Sequence, residues 1–94
     1  MTDVFQALSS PVRREILAML KEKDMTAGEI DEKIGVSKST LSGHFNVLKG
    51  AGLIVADKVG TTITYSLNTS VVEEMMASLM GLMGKNDDTD KGDA

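Results

Sequence analysis

Ser37-Lys38-Ser39-Thr40-Leu41-Ser42-Gly43-His44-Phe45-Asn46-Val47-Leu48-Lys49-Gly50 reads as a complete helix, and the rest of the 94-residue chain is best understood from it. Ser37 supplies a capping hydroxyl, and Gly50 and Gly52 supply the stop. Leu41, Phe45 and Leu48 are spaced four and three apart, so they share one face. With that face turned inward, Ser39, Ser42, Gly43 and Asn46 point roughly the opposite way. Just upstream, Thr26 and Glu29 have the spacing of a capping box. Ile30 and Ile34 supply the buried stripe of a short helix that Gly35 ends. Val36 lies in the tight turn between the two helices. Two short helices joined by a glycine-containing turn of this length form a helix-turn-helix pattern.

Outward from this pair the signals stay consistent. Val4, Phe5 and Leu8 suit a short amphipathic helix at the N-terminus. Ser10-Pro11 starts the next helix, with serine as cap and proline in the first turn, where its missing N–H is harmless. Ile16, Leu17 and Leu20 make its apolar stripe, and Lys21, Glu22 and Lys23 close it near Asp24. On the other side, Leu53 to Asp57 is a β-branched, apolar stretch. After a turn at Gly60, Ile63, Tyr65 and Leu67 alternate with Thr64 and Ser66, the period of a half-buried strand. The expected product is a β-hairpin, a wing set directly after the helix pair. Asn68, Thr69 and Ser70 cluster cap-forming residues, and Ser70 with Glu73 has capping-box spacing. A final helix is expected from Val71 to Met83. The fold class is therefore mostly α with a β-hairpin wing. Residues 1–84 form one domain, and residues 85–94 an acidic tail expected to be disordered. There are no internal repeats.

Composition bounds the function. No apolar run approaches the roughly 18 residues of a membrane helix. Met1-Thr2-Asp3-Val4-Phe5 lacks the basic and apolar regions of a secretory signal, so a cytoplasmic location is expected. The absence of cysteine excludes disulfides, thiolate catalysis and thiolate metal sites together. No nucleophile–base–acid set and no glycine-rich phosphate loop is visible, so an enzyme is not expected. The net charge is −4. The tail holds four aspartates against two lysines, so removing it leaves about −2 for the remainder. No acidic residue occurs from Lys33 to Ala56, whereas Lys33, Lys38 and Lys49 do. A locally positive, acid-free segment inside an acidic chain is what a surface facing phosphates needs.

The order of elements, together with Ser37 to Phe45, Leu48, Ala51-Gly52-Leu53-Ile54, Gly60 and Tyr65-Ser66-Leu67, resembles the ArsR-type winged helix-turn-helix repressors. Ser10-Pro11-Val12-Arg13-Arg14-Glu15-Ile16-Leu17 is similar to the early helix of that family. The resemblance runs to about Leu82. Asp24-Met25-Thr26-Ala27-Gly28-Glu29-Ile30 and the short tail look closest to the SdpR-like autorepressors. It implies a sequence-specific, homodimeric, autoregulatory repressor bound to a pseudo-palindromic operator. It also implies a membrane immunity-type protein as partner, in place of metal sensing. The family's thiolate metal site falls on Met25 to Glu29, which has no cysteine. Its site on the last helix is left with Glu73 and Glu74, which point about 100° apart and cannot chelate one ion together. No cofactor or metal is expected.

The candidate DNA-binding residues are Lys38, Ser39, Thr40, Ser42, Gly43, His44, Asn46, Lys49 and Lys58. Hydroxyls and the asparagine amide suit base edges and phosphates, and asparagine pairs well with adenine. Gly43 would allow close backbone approach, although the family often has a larger polar residue there. His44 falls, by resemblance, at a position that braces the helix, with one phosphate contact available to it. Family wings often carry an arginine; here Lys58 stands alone beside Asp57, to meet DNA or solvent. Arg13 and Arg14 would touch phosphate or pair with Glu15 or Asp3. The candidate dimer seam is Val4, Phe5 and Leu8 of the first helix with Val72, Met75, Met76, Leu79, Met80 and Met83 of the last. That apolar face is too broad for one side of so small a domain, and methionine suits an adaptable interface. Thioether copper binding is disfavoured, since this helix has no cysteine or histidine. The competing reading is a protein-interaction module whose DNA contacts have decayed.

Overall fold

A computed structural model describes residues 4–84. The tail expected at residues 85–94, and Asp3 as a partner for the arginines, lie outside the described residues. Five helices and three strands follow one another: α1 (Val4–Leu8), α2 (Pro11–Glu22), β1 (Met25–Thr26), α3 (Ala27–Ile34), α4 (Lys38–Gly50), β2 (Ile54–Val59), β3 (Thr62–Leu67) and α5 (Thr69–Gly84).

The helix ends are set by the residues whose chemistry announced them. The Ser10 side chain accepts the Arg13 N–H at 3.2 Å, with Pro11 in the first turn. Thr26 and Glu29 form the reciprocal capping box: Thr26 Oγ1 accepts the Glu29 N–H, and the Glu29 carboxylate accepts the Thr26 N–H. Gly35 ends α3 at φ +75°, a left-handed conformation that costs a side-chain-bearing residue about 1–2 kcal/mol. Ser37 then caps α4 by accepting the Thr40 N–H.

The wing departs from a simple hairpin. β2 and β3 pair antiparallel from Ile54↔Leu67 to Val59↔Thr62, leaving Gly60-Thr61 as a two-residue turn. Gly60 has φ +62°, as the first position of such turns requires. The sequence reading missed β1, which pairs antiparallel with β3 through Met25↔Tyr65 and Thr26↔Thr64 and makes a three-stranded sheet in the order β1-β3-β2. Two residues are too few to show a period, and the cap reading already accounted for Thr26. The last helix is also corrected. It starts at Thr69, two residues before the expected Val71, because Asn68 takes the cap: its Oδ1 accepts the Val71 N–H and its carbonyl the Val72 N–H. Asn68 is fixed for this role by its own N–H, which donates to the Leu53 carbonyl at 2.9 Å.

One core holds these pieces. Ala7, Ile16, Leu20, Met25, Ile30, Leu41, Phe45, Leu48, Leu53, Ile54 and Tyr65 are buried, so every element but α5 contributes at least one such side chain. Phe45 of α4 stacks on Tyr65 of the central strand, with ring centroids 4.1 Å apart and planes at 21°. Such a pair adds about 0.5–1.5 kcal/mol beyond its area. It fixes the depth at which α4 sits on the sheet.

Candidate nucleic-acid interface

Because Leu41, Phe45 and Leu48 are buried, most of the rest of α4 is presented outward, with His44 and Val47 half-buried. Lys38, Ser39, Thr40, Ser42, Gly43, Asn46 and Lys49 are all exposed. A Cβ at Gly43 would meet nothing within 4 Å, so no packing demand of the described chain explains a glycine there. The helix is thus pinned on three side chains and leaves a row of hydroxyls and one amide uncovered. The front of that row carries no carboxylate.

At the first turn of α4, Lys38 is not idle. Its ammonium lies 3.1 Å from Asp31 Oδ2 of α3, although its side chain is 88% exposed. Asp31 falls just before the acid-free stretch, and the sequence reading did not single it out. It joins the candidate site as a competitor for Lys38. The ion pair spans the turn of the helix pair. Being exposed, it contributes little to folding, about 0–1 kcal/mol.

Arg13 and Arg14 do not form the ion pairs anticipated with Glu15. They serve the C-terminal end of α1 instead. Arg13 Nε–H donates to the Ala7 carbonyl at 2.8 Å and Nη2–H to the Gln6 carbonyl at 2.9 Å; Arg14 Nη1–H reaches the Leu8 carbonyl at 2.6 Å. The last carbonyls of a helix lack partners within it, and cations there also answer the negative end of its dipole. The remaining arm of Arg13 reaches His44 of α4, Nη1 to Nδ1, at 3.1 Å. Burial first, and the arginine charge second, push the His44 pKa below 6.5. His44 is half-buried and held by Arg13.

The wing presents Asp57, Lys58, Val59, Gly60, Thr61 and Thr62, all exposed. Lys58 is therefore free to reach a nucleic-acid backbone, with Asp57 beside it.

A second surface, between α1 and α5, is apolar. An open apolar groove of about 320 Å³ runs between α1 and α5, lined by Val4, Phe5, Leu8, Val71, Glu74, Met75, Ser78, Leu79 and Leu82. Phe5 is 73% exposed and Leu82 78%, and Met76 and Met80 are also exposed. Val72, Met75 and Leu79 are half-buried, and Val72 and Met75 also line a second apolar cleft toward Leu17 and Leu53. Val71 and Leu82, absent from the expected seam, belong to the groove; the side chain of Met83 lies outside what is described. Among the described residues, no group of three or more His, Asp or Glu side chains stands together to hold a metal ion, and no helix is long and apolar enough to cross a membrane.

Comparisons with known proteins fit this architecture. The helix-turn-helix domain family matches residues 8–55. The transcriptional repressor SdpR of Bacillus subtilis is 44% identical over 87 residues, covering 93% of this chain and 97% of SdpR. Among solved structures, HlyU from Vibrio cholerae superposes with a TM-score of 0.70 at 30% identity, covering 84% of this chain and 86% of its own. An ArsR family transcriptional regulator superposes with a TM-score of 0.71 at 27% identity, covering 84% and 90% respectively.

Proposed function

This chain belongs to the ArsR family of winged helix-turn-helix transcriptional regulators, and on that premise we propose that it is a homodimeric repressor reading a pseudo-palindromic operator. The observation that carries the reading is α4: a helix held by three buried side chains whose outward row carries no acid and no large apolar group. Ser39, Ser42 and Asn46 read base edges, and Lys38 and Lys49 engage phosphates on the same side. Thr40, Gly43 and His44 complete the contact surface, and Lys58 extends it along the duplex.

The groove between α1 and α5 supports dimerisation. Apolar side chains as exposed as Phe5 and Leu82, set around one continuous trough, normally mark an interface. A second copy seated there would present two α4 helices to successive major grooves, about 34–36 Å apart. From the resemblance to the SdpR-like autorepressors we further propose that the target includes the chain's own promoter, that a membrane immunity-type protein relieves repression, and that no metal ion does. A cytoplasmic location follows from that role.

The pairing of Lys38 with Asp31 and the sparsely charged wing favour one rival reading, a protein-binding module with weak DNA contacts. A mobility-shift titration of the full chain against the DNA upstream of its own gene, beside a random duplex, separates the two. Tight, sequence-dependent shifting supports the repressor. Equal, weak binding to both duplexes overturns it.

A further inference from the structure

A guanidinium can only donate hydrogen bonds. The contact of Arg13 Nη1 with His44 Nδ1 at 3.1 Å therefore makes Nδ1 an acceptor, which places the ring's proton on Nε2. The arginine cannot easily turn away. It also donates to the carbonyls of Gln6 and Ala7, and Ser9 Oγ lies 3.4 Å from Nη2. One planar group thus closes α1 and sets both the tautomer and the tilt of an imidazole on α4.

The place of that imidazole on the helix gives the tautomer a use. At about 100° per residue, Lys38, Ser42 and Lys49 fall to one side of the buried stripe, and Thr40, His44 and Val47 to the other. A helix about 10–12 Å across fills a major groove about 12 Å wide, so its two flanks meet the two phosphate walls. One wall would meet two lysines. The other meets no lysine on α4, only the Thr40 hydroxyl and the His44 ring, with the Arg13 charge directly behind it. We propose that His44 binds a DNA phosphate as a neutral Nε2–H donor, and that Arg13 is the positioning residue that fixes it in that state. The guanidinium then acts on the phosphate through the ring, polarising the N–H it has set in place.

The proposal rests on the DNA-binding reading above, and two measurements keep the two apart. The first needs no DNA. His44 is the single histidine of the chain, so long-range ¹H–¹⁵N spectra of its ring at pH 7.5 are unambiguous. An unprotonated Nδ1 and a protonated Nε2 are expected, and Arg13→Gln should mix the tautomers. A ring protonated on Nδ1 in the wild type overturns the proposal. The second measurement uses His44→Asn, whose side-chain carbonyl can accept from Arg13 but which carries nothing at the Nε2 position. Affinity for operator and random duplex alike should fall about tenfold per half-site, roughly a hundredfold for the dimer, as for one hydrogen bond to a charged group in each protomer. The salt slope should stay unchanged, since a neutral donor releases no counterion, whereas Lys49→Ala should flatten it. His44→Gln, with an amide N–H near the lost position, should recover part of the affinity. His44→Asn binding as tightly as the wild type overturns the phosphate role alone. Failure of the wild type to bind random duplex at low salt overturns the DNA-binding reading and this proposal with it.

Discussion

Asp31→Asn should make this protein bind DNA more tightly, on any sequence. The carboxylate sits 3.1 Å from the Lys38 ammonium at the first turn of α4. A phosphate approaching Lys38 must share it with Asp31, or displace it. Two terms oppose binding. Releasing an exposed ion pair costs about 0–1 kcal/mol. A carboxylate left about 7 Å from a phosphate in water adds roughly 0.6 kcal/mol of repulsion. Salt screening reduces the second, so about 0.5–1 kcal/mol per half-site is a fair expectation. For a dimer on two half-sites this becomes roughly five- to thirty-fold. Folding stability should barely change, for the same reason that exposed pairs contribute little. Fluorescence anisotropy of labelled operator and random duplexes, at several salt concentrations, measures the effect. The gain should be similar on both duplexes, and the salt slope should steepen as Lys38 becomes fully available. An unchanged or weakened affinity, with the slope as before, would refute the view that Asp31 restrains Lys38.

Three further outcomes are expected. Asn46→Ala or Ser42→Ala should lose about 1–3 kcal/mol on the operator and little on random DNA, because base readout and not phosphate contact is removed; equal losses on both would reassign these residues. Met76→Asp with Met80→Asp should sediment as a monomer with intact secondary structure and lose the operator shift, whereas truncation after Asn86 should leave the shift in place. Stability should fall on acidification through the window below pH 6.5. The His44 pKa is lowered by folding, so the unfolded chain binds more protons there and the contribution is complete only above 6.5. Urea unfolding of wild type and His44→Asn between pH 7.5 and 5.5 isolates this slope, which the variant should lack.

What the sequence revealed, and what it hid, divides along one physical line. Caps and stops are local chemistry, so Ser10-Pro11, the Thr26/Glu29 box, Gly35 and Ser37 announce the ends of α2, α3 and α4 in the sequence itself. The buried stripe Leu41/Phe45/Leu48 was legible for the same reason: its partners are on one helix. Features made by residues far apart in the chain were not. β1 is two residues long and owes its existence to β3, forty positions away. Asn68 outcompetes Ser70 as a cap because Leu53 holds its backbone. The guanidinium of Arg13 reaches an imidazole 31 residues on, and no periodicity encodes that contact. Asp31 meets Lys38 only across the turn between α3 and α4, so the charge pattern of α4 alone does not bring it in. The outward face of α4 could be derived from spacing, but its electrostatics required the neighbouring helices.

The net charge of −4 is a quantitative constraint on DNA binding. At physiological ionic strength charges more than about 8 Å apart in solvent are largely screened, so carboxylates remote from the contact surface matter little. Near the proposed contact surface, Asp31 pairs with Lys38, and Asp57 precedes Lys58 in β2. The cations available to phosphates are correspondingly few: Lys38, Lys49 and Lys58 in each protomer, since Arg13 and Arg14 are engaged with α1 carbonyls. With Lys38 counted in full, three neutralised phosphates set the steepest slope of log K against log salt, near −3, and two protomers about −5. A slope that shallow leaves a single copy with weak, largely non-specific affinity, so tight operator binding demands a second copy, which we propose docks at the α1–α5 groove. Measured slopes near −5 that drop toward −3 in the Met76→Asp, Met80→Asp variant would bear this out. A wild-type slope near −3 accompanying nanomolar affinity would show one protomer sufficing, and the groove would need another occupant.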